Sequence, residues 1–317
     1  MDFEYNDDQH LLMTSFEALL ERHREIPHGQ HGYVNYSAEL QAELEASGYL
    51  DLLAQDGFGP LEGALMVEAA ARCPASVELA ASLLLRPMLG DVPAPVAVAW
   101  GLGKPVRYLS QARTVCIIDG DRVMAGSVSP GIIRPLHGTP AYPLAVLERL
   151  PADVREMTGA MAEAIRRRAL IGMAAEAAGL MGGALGNTVQ YVKDRQQFGQ
   201  PLGHFQGVQH RLAESAQLVR TARWLALRAA HADDAQAATM ACLYAQDTMR
   251  KVINDCHQFS GAMGLTLEFP LHLWTYRLKV LQGEGGGRGG HGLALARQVW
   301  PAREPADNRN SRMEIAR

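Results

Sequence analysis

The sequence predicts a mainly α fold with three regions: an N-terminal helical domain, a shortened β module and a C-terminal bundle of long helices. Three observations carry this. Ala- and Leu-rich segments with helical periodicity fill residues 1–86, Pro, Gly and Val dominate 87–150, and long helical patterns return over 151–302. A length of 317 residues accommodates such a division, and 48% apolar with 20% charged residues describes an ordinary globule, not a disordered chain.

Within 1–86, Asp7 or Asp8 can cap a helix running to about Arg24, with Leu11, Leu12, Phe16, Leu19 and Leu20 on one stripe. Ser37 opens a second helix that Gly48 stops. Pro60 starts a third, and Pro74 begins a fourth through ASVELAASLLL. Within 87–150, TVCIIDGDRVMAG holds two β-branched runs around Asp119-Gly120, a hairpin signal. The module is too short for a large sandwich or a closed barrel. From 151 onward a nearly continuous helix reaches Arg195, with Gly159, Gly182 and Gly183 as candidate interruptions. Further helices are expected near 205–231, 234–259 and 270–281, and a last one after the Gly-rich stretch 283–292. The tail, 303–317, is charged and expected to be disordered.

A net charge of −4 provides no basic field for nucleic acid. The acidic start MDFEYNDDQH is unlike a secretory or transit leader, and no uninterrupted apolar run approaches the ~20 residues of a bilayer span. The expectation is a cytoplasmic protein without a membrane partner. Cys73, Cys116, Cys242 and Cys256 lack CxxC spacing, which predicts reduced buried thiols and no metal site.

The segment YVKDRQQFGQPLGHFQGVQHRLA, residues 191–213, joins two helices through a polar turn. Arg195 at that junction presents a planar fork suited to phosphate or carboxylate, and Gln197 and Gln206 add neutral donors and acceptors. By itself the segment also reads as a connector with a solvated arginine. GLMGGALG lies within a helical pattern and is expected to serve close helix packing. GEGGGRGGHG is either a linker or an anion-binding nest. Glu176, the lone carboxylate of ALIGMAAEAAGLM, reads first as a Glu paired to an Arg or set at a helix edge, and second as a functional acid. His210 and His291 read as surface or loop residues.

The pattern R-x-Q-F-G-x-P with the following FQ and QH pairs resembles the signature of the acyl-CoA dehydrogenase family. A second segment, HQFSGAMGLTLEFPLHLWTYR, is similar to that family's Q-x-x-G-G-x-G stretch. The resemblance is strong over 160–281, weaker over 1–86 and poor between them. It implies an acyl-CoA dehydrogenase-like fold, FAD as cofactor, an acyl-CoA thioester as substrate and an electron-transfer flavoprotein as acceptor. It further implies that Arg195, Gln197, Phe198 and Gln206 contact the adenosine side of an FAD held mainly by a neighbouring subunit. Gln258, Gly261 and Ala262, the last where the family has Gly, would approach the same cofactor's pyrophosphate and ribose.

Two family features are missing from 87–150: the T-E-P-x-x-G-S-D-like loop and the W-I-T-like strand that surround the flavin ring. The catalytic base departs from the family pattern as well. Glu284 lies near the family's Y-E-G-T position with a slipped register, among glycines that predict a mobile loop. The alternative position, on the helix before R-x-Q-F-G, is Ala169. Together these imply the reduced subunit of a heteromeric α2β2 dehydrogenase of the bacterial steroid type, whose fuller partner supplies the base and the ring pocket. The alternatives are a self-sufficient homotetramer using Glu284, and a non-enzymatic oligomerisation partner with the same fold.

Overall fold

A computed structural model describes residues 4–25, 33–136, 138 and 141–300; the expected disordered tail lies outside them. Four helices come first: α1 (Asp7–Glu21), α2 (Ala38–Ala46), α3 (Pro60–Ala71) and α4 (Ala80–Leu84). The cap of α1 is Asn6, not Asp7 or Asp8. Its side chain accepts from Gln9 N at 2.8 Å and the Gln9 side chain returns to Asn6 N at 3.1 Å, so the two aspartates fall in the first turn. Ser37 caps α2, and Pro60 occupies the first turn of α3.

The helix expected from Pro74 begins only at Ala80. Gln41 grips the Glu78 backbone from both sides, accepting from its N–H at 2.8 Å and donating to its carbonyl at 3.1 Å. The Glu78 carboxylate then accepts from Ala81 N at 2.8 Å and Ser82 N at 3.0 Å. A long-range partner thus holds the Glu78 backbone outside the helix, and local propensity loses.

Seven strands follow: β1 (Val96–Ala99), β2 (Pro105–Arg107), β3 (Thr114–Asp119), β4 (Arg122–Ser127), β5 (Ile133–Leu136), β6 (Leu144–Leu147) and β7 (Arg155–Met157). They form a four-stranded sheet ordered β1-β3-β4-β7 and a three-stranded sheet ordered β2-β6-β5. The expected hairpin is present, with Asp119 paired to Arg122 and Gly120 at φ 58 in the loop. Alternation along β3 explains its unbroken apolar run. Val115 and Ile117 pack toward the second sheet, while Cys116 and Ile118 pack with Leu85 and Ile165 on the helices. Both faces are covered.

The remaining helices are α5 (Gly159–Asp194), α6 (Gln206–Ala232), α7 (Ala235–Ser260), α8 (His272–Leu281) and α9 (Gly287–Val299). At 36 residues, α5 is the backbone of the molecule, about 54 Å long at 1.5 Å per residue. By length and composition it is apolar enough to cross a membrane, but 78% of its most apolar window is buried inside the bundle. The helix expected from 151 begins only at Gly159, at φ 56, because 155–157 pair with β4 as β7; within it, Gly179 and Gly183 are contact points and do not interrupt it. A Cβ on Gly179 would lie 2.2 Å from the Glu68 carbonyl oxygen, and one on Gly183 2.3 Å from Trp274 Nε1, which donates to Arg72 O at 3.0 Å. The Gly-rich stretch expected to be loop as far as 292 is already helical from Gly287. Only Gly285, Gly286 and Gly287, with φ of 62, 97 and 63, make the turn. All four cysteines are free and buried.

Candidate active site and nucleotide-binding rim

Where the β strands meet the bundle, α4, β1, β2 and α5 line a small cavity of about 30 Å³. Ala169, Gly172 and Met173 line it from α5, and Glu284 lines it from the turn before α9. Ala169 and Glu284 are the two positions at which the family resemblance would place a base, and the fold brings both to this one space.

Glu284 is not on an open loop. Its side chain is 12% exposed, and Arg107 Nε donates to its Oε1 at 2.6 Å. The same guanidinium donates through Nη1 to both Glu176 oxygens, at 2.8 and 2.7 Å. The Tyr142 hydroxyl donates to Glu176 Oε1 at 2.7 Å, and its ring lies 4.9 Å from the guanidinium carbon. Glu176 is therefore a buried carboxylate paired to an arginine.

The Glu284 backbone is fixed as well. Gln246 Nε2 donates to its carbonyl at 3.0 Å and to Leu281 O at 2.8 Å, and His291 also bonds that carbonyl. His291, expected at the surface, is 4% exposed, and burial pushes its pKa down. The glycines supply the turn, and side chains from α7, α9 and β2 remove its freedom.

Electrostatics follow from burial and pairing. Burial raises the Glu284 carboxyl, with Arg107 pulling the other way. Burial opposes the charge on Arg107, yet the two carboxylates hold its pKa well above the usual arginine range. Glu78, also on the cavity wall, is pushed up to about 7 by burial, against the pull of its Ser82 and Ala81 hydrogen bonds. Tyr108, beside Arg107, has φ 61, a conformation side chains rarely adopt. It is held there by an edge contact with Tyr142 at 5.2 Å between ring centroids.

The other candidate residues lie at the far end of α5. Arg195 ends that helix, and the β8 (Gln196–Gln197) and β9 (Gln200–Pro201) ribbon turns through Phe198 at φ 54 and Gly199 at φ 80. Arg195, Gln197, Phe198 and Gln206 are all exposed, Phe198 by 89%. Gln258, Gly261 and Ala262 are exposed at the end of α7. Tyr191 joins the two segments, its ring edge-on to Phe269 at 5.1 Å. The structure thus gathers these residues on one rim and places Glu284 elsewhere. Sequence reasoning missed Arg107, Tyr142, Glu78 and Gln246. PVRYLS offers no local sign that Arg107 is buried against Glu284, 177 residues away.

A helical bundle carrying a two-sheet insert, with a carboxylate at the junction, defines the acyl-CoA dehydrogenase fold class. Residues 160–299 match the family model for the acyl-CoA dehydrogenase C-terminal domain. The chain is 36% identical over 176 residues to acyl-CoA dehydrogenase FadE34 of Mycobacterium tuberculosis, a match spanning 52% of this chain and 24% of that protein. It is 25% identical over 292 residues to acyl-CoA dehydrogenase IpdE2 of Mycolicibacterium smegmatis, spanning 86% and 92%. In structure it is similar to a chain of the ChsE4–ChsE5 complex from Mycobacterium tuberculosis, with TM-score 0.79, 21% identity, and coverage of 96% and 100%. Residues 160–299 thus match the acyl-CoA dehydrogenase C-terminal domain, and the chain is similar to acyl-CoA dehydrogenases over most of its length.

Proposed function

We propose that this chain is the reduced subunit of a heteromeric, FAD-dependent acyl-CoA dehydrogenase. It grips the adenosine side of the cofactor, while a fuller partner supplies the base and the flavin-ring pocket. The observation that carries this reading is the contrast in state between two residue sets. The rim residues Arg195, Gln197, Phe198, Gln206 and Gln258 are exposed, whereas the Glu284 side chain is largely buried and committed to an ion pair.

The rim fits the polar half of FAD. Arg195 would pair with the pyrophosphate, Gln197, Gln206 and Gln258 would bond phosphate or ribose oxygens, and Phe198 offers an aromatic face. Ser260 Oγ, buried beside Gly261, has no hydrogen-bond partner among the described residues. The junction cavity does not fit the ring half, because a guanidinium and two carboxylates fill its β2 side. In the family reaction a base takes a proton from Cα of the thioester, and bound FAD accepts hydride from Cβ. In this chain, Arg107 Nε occupies Glu284 Oε1 at 2.6 Å, a bond that Glu284 would have to release before that oxygen could take a proton.

An acyl-CoA of the steroid side-chain type, an α2β2 assembly, an electron-transfer flavoprotein acceptor and a cytoplasmic location complete the proposal. They rest on the resemblance of the 191–213 and 257–277 segments, and for the assembly also on the likeness to a chain of a two-component complex. The homotetramer reading has one observation in its favour: Glu284 lines the cavity with a carboxyl raised by burial. Production of the chain alone and together with a genome-neighbouring dehydrogenase decides. The expected result is colourless, inactive protein alone and yellow, active protein together. Yellow, active protein from this chain alone overturns the heteromer, and colourless protein that joins no flavoprotein leaves the scaffold reading.

A further inference from the structure

We infer that Arg107 is a built-in occupant of the junction cavity, a cation bound between Glu176 and Glu284 where a substrate would otherwise lie against the base position. The inference deepens the heteromer reading and rests on it for its functional meaning.

Three features support it. The guanidinium reaches from β2 to two carboxylates on separate segments of the bundle, and its three hydrogen bonds are 2.6 to 2.8 Å long. Its side chain is 13% exposed, and those of its two partners are 8% and 12% exposed, so the charges are screened by one another and little by water. The Arg107 guanidinium is shared between two carboxylates, Glu284 on the cavity wall and Glu176 behind it, while the wall's other charged groups, Glu78 and Arg168, bond neither. An acyl chain entering this cavity would have to displace an ion pair that no water can replace in kind.

If Arg107 is a bound cation, its removal creates a cation site. In the complex with the partner, Arg107→Ala should lower the melting temperature by about 5 °C or more. Millimolar ethylguanidinium should restore about 2 °C or more of that loss, by binding the folded form alone. Sodium chloride at equal ionic strength should restore none, and the unmodified complex should not respond. Should Arg107→Ala fail to fold, the triple variant R107M/E176Q/E284Q tests the same point. With the three mutually paired charges removed together, it should melt within about 3 °C of the unmodified complex and ignore ethylguanidinium.

Equal recovery by sodium chloride and ethylguanidinium in Arg107→Ala overturns the inference, as does unmodified melting of that variant. A triple variant that melts far below the unmodified complex also overturns it. None of these readouts uses flavin or turnover. A failure of the heteromer reading, seen as yellow active protein from this chain alone, is therefore distinguishable.

Discussion

The middle of α5 and its C-terminal end lie beside the same kinds of side chain in opposite states. At the rim, Arg195 and its glutamines face solvent, and Phe198 is almost fully exposed. At the junction, Arg107, Glu176 and Glu284 satisfy one another out of water. An exposed arginine retains its full capacity to bind an incoming phosphate, whereas a buried and paired one has spent it. The difference teaches that residue identity does not tell a binding group from a structural one; the state of its hydrogen bonds does.

The largest effect that would break this comparison is expected at Glu176. Glu176→Ala leaves Arg107 half-paired and the Tyr142 hydroxyl without its acceptor, and should destabilise the fold by about 3–5 kcal/mol in denaturant titration. A loss below about 1 kcal/mol would mean that the junction is as wet as the rim. Arg195→Ala should leave melting unchanged but weaken flavin retention in the complex by roughly 10- to 100-fold, the worth of a charge-assisted bond. Unchanged flavin absorbance per protein after gel filtration would remove Arg195 from the cofactor site.

Glu78 sharpens the contrast through pH. Its folded pKa lies above its unfolded value, so the folded state holds that proton more tightly. The stability it contributes is full below the ordinary 4.5 and is lost as pH rises through about 7. Over that window the loss is roughly 3 kcal/mol, and Glu78→Gln should flatten the stability–pH profile there. A parallel profile in the variant would assign the slope to other groups. The smallest effect belongs to Phe198→Ala, expected to change stability by less than about 0.5 kcal/mol, since almost none of the ring is buried on folding. A larger thermal shift for the chain alone would contradict its exposure.

Much of this was legible in the sequence, and the illegible features share a cause. Helix periodicity and turn chemistry located α1 to α3, the Asp119-Gly120 hairpin and the long C-terminal helices, because these signals are local. The packing role of Gly179 and Gly183 was readable from their place inside a helical pattern. The failures arose where a distant residue overrides local preference. Gln41 holds the Glu78 backbone outside the helix although ASVELAASLLL favours helix. Arg107, Gln246 and His291 immobilise Glu284 within a stretch whose glycines alone spell freedom. At the candidate site, the rim residues were named from one short segment pair, while the arginine that disarms Glu284 had no signature near it.

The length of α5 has a consequence for how the protein can change. Glu176 and Arg195 lie 19 positions apart on one unbroken helix, about 28 Å along its axis. That spacing exceeds the reach over which substitutions normally couple, so changes at the helix midpoint and at its C-terminal end should combine additively. A rigid rod of this kind makes the two regions separate units of change: either can be rebuilt with the other left untouched.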